Sequence, residues 1–219
     1  MMHSETTPTN PPDSSRRRRK DERPHELLEA AMALFVERGF AATRSEEVAA
    51  RAGVSKGTLY LYFPSKAELF KAVVRTHLTA PIAEAQTYAD GYSGPSDELL
   101  RTLILKIWER VGKTAAGSIC KIIMAEARNF PEVALFYMNE VIEPTHRLLG
   151  GALRRGIARG EFRDVPVDLA IPALIAPSLL LAMHQHSIGA CPICADLPAT
   201  DDDAIRTQID LILRGLCSG

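Results

Sequence analysis

The sequence predicts an all-α protein of about nine helices, a small N-terminal three-helix domain followed by a larger helical one. Three observations carry this. Apolar residues recur at three- and four-residue spacing from Leu27 onward, the signature of one buried helix face. Hydroxyl caps (Ser45, Ser55, Ser96) and glycines just past the ends of periodic runs (Gly39, Gly53) cut the chain into helix-sized pieces. No strand signal interrupts these runs.

Residues 1–20 carry Pro, Ser, Thr and Asn, then the basic cluster Arg16–Lys20. With nothing apolar to bury, they read as a disordered basic tail. Leu27, Leu28, Ala31, Leu34 and Phe35 then fall on one face of a first helix, and Gly39 after Arg38 suits a C′ position. A short second helix starts at Ser45 with Glu46 and Glu47 at its positive end. Gly53 ends it, Ser55 caps a third helix reaching about Phe63, and Pro64-Ser65 precede a fourth carrying Leu69, Phe70, Val73 and Val74. These elements place a small helical domain at 21–80, with a pair of short helices in helix-turn-helix arrangement at about 44–63, and a larger helical domain at 81–219.

The second domain continues in the same period. Pro81–Tyr88 extends or restarts the fourth helix, and Ser96 caps a run with Leu99, Leu100, Leu103, Ile107 and Trp108. Ile119–Ala127 follows, stopped at Asn129-Phe130-Pro131. A long helix from about Pro131 to Ile157 is expected to bend at Pro144, which lacks a backbone donor. Val167–Ile188 and Asp201–Leu216 close the chain. Their apolar content is too continuous for a solvated face, so they are expected to join two copies into a homodimer.

The composition is ordinary for a globular protein, 46% hydrophobic and 24% charged, with a formal net charge of −1. The charge is unevenly placed: residues 1–78 hold 13 Lys/Arg against 10 Asp/Glu, and residues 79–219 hold 13 against 17. An electropositive head on an acidic body suits a protein that meets a polyanion at one end. No apolar run looks long enough for a bilayer, because Leu169–Met183 is broken by Pro172 and Pro177. No secretory h-region follows the basic run, and four cysteines make no disulfide scaffold, so the expected place is the cytoplasm and no membrane partner is expected.

The segment Ser45–Phe63 has the features of a helix-turn-helix. Gly53 provides the tight turn, Val48 and Val54 pin it to the core, and Leu59 and Phe63 anchor the second helix from behind. That leaves Lys56, Gly57, Thr58 and Tyr60 facing outward at the start of a helix suited to the major groove. Here the chain resembles the tetracycline-repressor (TetR) family of bacterial regulators. The match runs Gly39-Phe40-x-x-Thr43, then Val48-Ala49-x-x-Ala52-Gly53-Val54-Ser55-Lys56-Gly57-Thr58-Leu59-Tyr60-x-Tyr62-Phe63-x-Ser65-Lys66-x-Glu68-Leu69. Ala125-Glu126-Ala127-Arg128-Asn129-Phe130-Pro131 resembles a phrase from one of the family's sub-branches.

The resemblance implies a repressor that is a homodimer, binds a palindromic double-stranded operator and leaves it when a small-molecule effector fills a cavity in the larger domain. It implies that Lys56, Gly57 and Thr58 read bases, and that Ser45, Thr58, Tyr60, Tyr62 and Lys66 meet phosphates, with Thr43 in the same DNA-binding set. Glu46 departs from the pattern, standing where some members place a basic or polar base contact; a carboxylate there accepts from cytosine N4 or faces solvent.

Trp108, Met124, Phe136, Tyr137 and Met183 are candidate walls for an apolar effector, with His146 and His184 as polar anchors. An alternative sensor is His184-x-His186-x4-Cys191-x2-Cys194, whose imidazoles and thiolates would suit zinc or thiol chemistry. His184 and His186, two apart on a helix, cannot both chelate unless the helix has ended, so no metal site and no cofactor are assigned. A helical enzyme is the competing class. Glu143-x-x-His146 stands alone, and no nucleophile elbow, P-loop, dinucleotide fingerprint or HExxH is present, so no catalytic residue is expected.

Overall fold

The computed structural model describes residues 14–191 and 202–217, with side chains from residue 22. Among these residues there is no strand beyond an isolated bridge between Phe162 and Cys217. Helix α1 spans Ser14–Ala42. Residues 14–20 of the expected disordered tail are helical in backbone, through Arg16–Lys20, consistent with the good intrinsic helicity of Arg and Lys. Residues 1–13 lie outside the described residues.

Gly39 has φ 81 and joins two helical stretches within α1. Short helices α2 (Ser45–Arg51) and α3 (Lys56–Tyr62) follow, separated by Gly53 at φ 66. An added Cβ at Gly53 would touch nothing within 4 Å, so it is the positive φ, not crowding, that asks for glycine here. Ser55 caps α3 by accepting from Thr58 N at 3.1 Å, and Ser65 caps α4 (Lys66–Val74) by accepting from Glu68 N at 3.1 Å.

Three wide, π-helical turns interrupt the rods that follow. One, Arg75–Thr79, joins α4 to α5 (Ala80–Gly91) with helical backbone angles at both junctions. A second, Trp108–Gly112, ends α6 (Ser96–Ile107) before α7 (Ala116–Glu126). The third, Met138–Ile142, links α8 (Pro131–Tyr137) to α9 (Glu143–Ala158). Two of them sit just before a proline. Pro81 and Pro144 cannot donate to the preceding turn and crowd its carbonyl, and a wider turn absorbs both problems. The carbonyl of Glu140, left without the Pro144 donor, accepts instead from the Thr79 hydroxyl at 3.3 Å. The expected bend at Pro144 is thus a widened turn tied to the one before Pro81. Helices α10 (Val167–Gln185) and α11 (Asp202–Leu216) complete the body.

The buried residues form two clusters, and their border does not follow the expected domain border at residue 80. The first joins the α1–α4 head to α7 and α8 of the body, running from Leu27, Phe35 and Phe70 to Ile119, Cys120, Ile123 and Tyr137. The second holds α5, α6, α9, α10 and α11 together around Leu103, Trp108, Leu149, Leu153 and Ile209.

Candidate DNA-reading face and effector cavity

The head presents α3 outward. Leu59 is buried beneath it, while Lys56, Gly57, Tyr60 and Leu61 are exposed. Leu61, missing from the sequence-based set, is 84% exposed. The Thr58 hydroxyl lies 2.9 Å from the Ser55 hydroxyl, so it completes the cap from the outer side. Lys56 makes an ion pair with Glu46 across the turn, and its ammonium lies 5.8 Å from the centre of the Tyr60 ring. That contact with Lys56 holds the Glu46 carboxyl below the usual carboxylate range.

Three residues of the expected DNA-binding set, two of them expected at phosphates, turn into the head instead. Thr43 is buried and donates its hydroxyl to Gly39 O at 2.7 Å, which ties the turn after α1. Ser45 is buried as well. Lys66 turns inward and donates to the carbonyls of Phe40, Ala41 and Thr43 at 2.8, 3.0 and 3.0 Å. Its ammonium also lies 4.7 Å from the centre of the Phe40 ring. Burial pushes its pKa down, partly opposed by the Glu126 carboxylate. Lys66 therefore caps the C-terminal end of α1, where the helix dipole favours a cation. Tyr62 is half-buried.

A cavity of about 170 Å³ opens in the body. Its walls come from both buried clusters: Leu78, Ile82, Cys120, Tyr137 and Val141 from the first, Trp108 and Ala182 from the second. All three wide turns contribute to it, through Leu78, Trp108 and Val141. Such turns are rare and concentrate at functional sites. The lining is largely apolar, with Tyr137 and Cys120 as a buried polar spot, their Oη and Sγ 3.3 Å apart. Burial raises both their pKa values, so both groups stay protonated hydrogen-bond formers at neutral pH. The exposed side carries Lys106 and Arg110, the latter 3.2 Å from Glu84.

Of the sequence-based candidates, Trp108, Tyr137 and His146 line this cavity. Met124, Phe136, Met183 and His184 do not. Met124 is exposed, and Phe136 lies beneath Lys71 and Arg75 in the head-side core. The helical period placed them on apolar faces but could not say which face meets the cavity. Lys106 and Arg110, one turn apart, escaped notice because charged pairs at that spacing usually only face solvent.

Of the alternative sensor, His184, His186 and Cys191 fall within the described residues. His186 Nε2 lies 3.1 Å from Gly112 O, and no metal-binding group of three His, Cys, Asp or Glu side chains exists among the described residues. Cys194 lies outside them. Helix α10 with the following turn, Val167–Ala190, is long and apolar enough to cross a membrane by length and composition alone, against the sequence expectation. Its two prolines did not end the helix.

Comparison with known proteins gives the arrangement a context. The description "Bacterial regulatory proteins, tetR family" matches residues 27–73, and "Tetracyclin repressor-like, C-terminal domain" matches 93–189. The HTH-type transcriptional repressor KstR2 of Mycobacterium tuberculosis is 32% identical over 66% of this chain and 72% of its own length. The chain belongs to the tetR family of bacterial regulatory proteins. As such it is a DNA-binding transcription regulator. KstR2 of Rhodococcus jostii is similar along 95% of this chain and 98% of its own, at 28% identity. The solved structure of the ketosteroid transcriptional regulator KstR2 of M. tuberculosis shares the TetR fold, with TM-score 0.69, 24% identity and coverage of 90% and 96% of the two chains. So does the regulator FadR of Bacillus subtilis in complex with stearoyl-CoA, at TM-score 0.66 and 18% identity, covering 87% and 98%.

Proposed function

We propose that the protein is a homodimeric repressor in the cytoplasm, released from a palindromic operator by an amphiphile with an anionic head. The observation that carries this is the cavity at the seam between the head-linked core and the body core. A ligand wedged there separates the cluster that contains the reading head from the cluster that contains the dimer helices. The enclosed volume of about 170 Å³ falls below the roughly 300–1,000 Å³ of a pocket that swallows a whole drug-sized ligand. An apolar tail or ring enters; the polar head stays at the mouth. Lys106 and Arg110 stand there, and an anionic head competes with Glu84 for Arg110. That FadR was solved with stearoyl-CoA and that KstR2 is described as a ketosteroid regulator are in keeping with such a ligand.

The dimer reading is supported by α10. Leu169, Pro172, Ala173, Ala176 and Leu180 form an exposed stripe at helical spacing without a polar residue. The opposite face, with Ile171, Leu174 and Ala182, is buried against the body. One dry face on a helix otherwise anchored in its own domain suits a second copy better than lipid. The two α3 helices would then meet major grooves about 34–36 Å apart, through the exposed face of Lys56, Gly57, Thr58, Tyr60 and Leu61, with Tyr62 at its edge. Thr43, Ser45 and Lys66 act indirectly, by holding the turn that presents α3.

The experiment is a gel shift on operator fragments recovered from the protein by genomic selection, titrated with a medium-chain acyl-CoA and with the alcohol of the same chain. Release by the acyl-CoA and not by the alcohol is the expected result. A hundredfold release requires about 2.7 kcal/mol of preference for the spread form. The Lys106→Glu/Arg110→Glu variant should bind operator and ignore the acyl-CoA; equal release of both proteins rules the headgroup role out.

A further inference from the structure

Three glutamates around the helix-turn-helix, Glu37, Glu46 and Glu47, fall into two kinds. Glu37 accepts from Arg51 at 2.6 and 3.1 Å, and Glu47 accepts from Arg38 at 2.5 Å and from the backbone N–H of Arg44 at 3.2 Å. Both clamp the scaffold. Glu46 instead reaches from α2 across to α3 and takes the ammonium of Lys56, and both side chains remain half exposed, with the ammonium beside the exposed Tyr60 ring. Next to Lys56, Gly57 adds no side chain to this exposed start of α3; a Cβ there would have only the Ser55 hydroxyl near it, at 3.7 Å.

An exposed ion pair of this kind adds little to stability. A carboxylate on a DNA-facing surface is moreover repelled by phosphate, and a neutralised lysine adds little phosphate affinity. What the pair offers is a donor and an acceptor side by side. In the major groove a G·C pair presents O6 and N4, which are hydrogen-bonded to each other and therefore about 2.9 Å apart. An ammonium and a carboxylate already in contact match that spacing. Guanine N7 gives the ammonium a second acceptor next to O6. A T·A pair also sets a keto oxygen beside an amine, but it has a methyl group where guanine has N7. Turned round, C·G or A·T brings amine to ammonium and keto oxygen to carboxylate.

We propose that Glu46 and Lys56 act as one unit that reads a single G·C pair in each half-site, guanine toward Lys56 and cytosine toward Glu46. This rests on the placement of α3 in the groove proposed above, and makes Glu46, the departure from the family pattern, a specificity determinant.

The test is selection of the full-length protein and its variants on randomised duplex DNA at one fixed salt concentration, followed by competition binding. The wild type should enrich a palindrome with one fixed G·C position per half-site. Glu46→Ala and Lys56→Ala should each relax that position, on the order of tenfold in relative affinity, and leave the rest of the motif. The reversed pair, Glu46→Lys/Lys56→Glu, keeps the contact between α2 and α3 and should enrich C·G in place of G·C. If the reversed pair selects the wild-type base pair, the contact is scaffold and the proposal fails while the placement of α3 stands. If the wild type enriches no palindrome, the placement fails and this proposal with it.

Discussion

The rings of Phe40 and Phe130 meet edge to face, centroids 4.7 Å apart at an interplanar angle of 82°. One belongs to the end of α1 in the reading head, the other to the turn between α7 and α8 in the body. Beside them Glu126 accepts from Ala41 N at 3.2 Å, and Phe40 is in turn packed on Phe35 and Phe70. The α4 helix is therefore not the sole link between head and body. A second link runs through α7 and α8, which also supply Cys120 and Tyr137 to the cavity.

This link gives the first prediction. Phe130→Leu keeps an apolar group in the gap but removes the edge-to-face contact. We expect operator affinity to change little and the effector concentration needed for release to rise, as coupling changes of about 0.5–2 kcal/mol would require. Gel shifts of wild type and variant over an acyl-CoA titration measure it; unchanged release would place the whole signal in α4.

Lys66 is predicted to matter for stability before DNA is present. Lys66→Met preserves length and apolar stem but leaves the carbonyls of Phe40, Ala41 and Thr43 without their shared donor. Loss of about 2 kcal/mol in urea unfolding is expected, in line with hydrogen bonds from a charged group. A variant as stable as wild type would return Lys66 to a purely phosphate-facing role.

Leu180 projects from α10 with 67% of its surface exposed, three turns from Leu169 at 75%, on the same face. Leu180→Lys should lower the mass in light scattering at micromolar concentration from dimer to monomer. It should also abolish operator binding while leaving the helical circular dichroism intact. A variant that stays dimeric would move the interface elsewhere.

The Cys120–Tyr137 pair sets a pH dependence. Both groups titrate higher when folded than their ordinary values of 9.0 and 10.0. The folded chain therefore holds protons that the unfolded chain has lost, and the difference makes stability fall as pH rises. The contribution is intact below about pH 9 and is lost progressively above it, as the unfolded groups ionise. Urea midpoints at pH 8 and pH 10 should differ by more in wild type than in Cys120→Ala/Tyr137→Phe; equal differences would mean the buried pair does not titrate with folding.

How much of this was legible beforehand follows the range of the forces involved. The helix-turn-helix could be read because its signals are local: Ser55 caps within one turn, Gly53 meets a backbone angle, and Leu59 faces inward by the helical period. The same locality explains why Val48 and Leu69 were placed correctly in the core. The sequence by itself determined the all-α class, the reading head and its family, since each depends on residues a few positions apart. Only the tertiary structure decided that Lys66 points at α1 instead of outward, because its three acceptors lie more than twenty residues away in the chain. It likewise decided that Glu46 pairs across to Lys56, that Phe130 docks on Phe40, and that of the aromatic and methionine candidates Trp108 and Tyr137 face the cavity. An amphipathic period says that a face is buried; which neighbour buries it depends on how the helices cross, and that is fixed by contacts far apart in the chain.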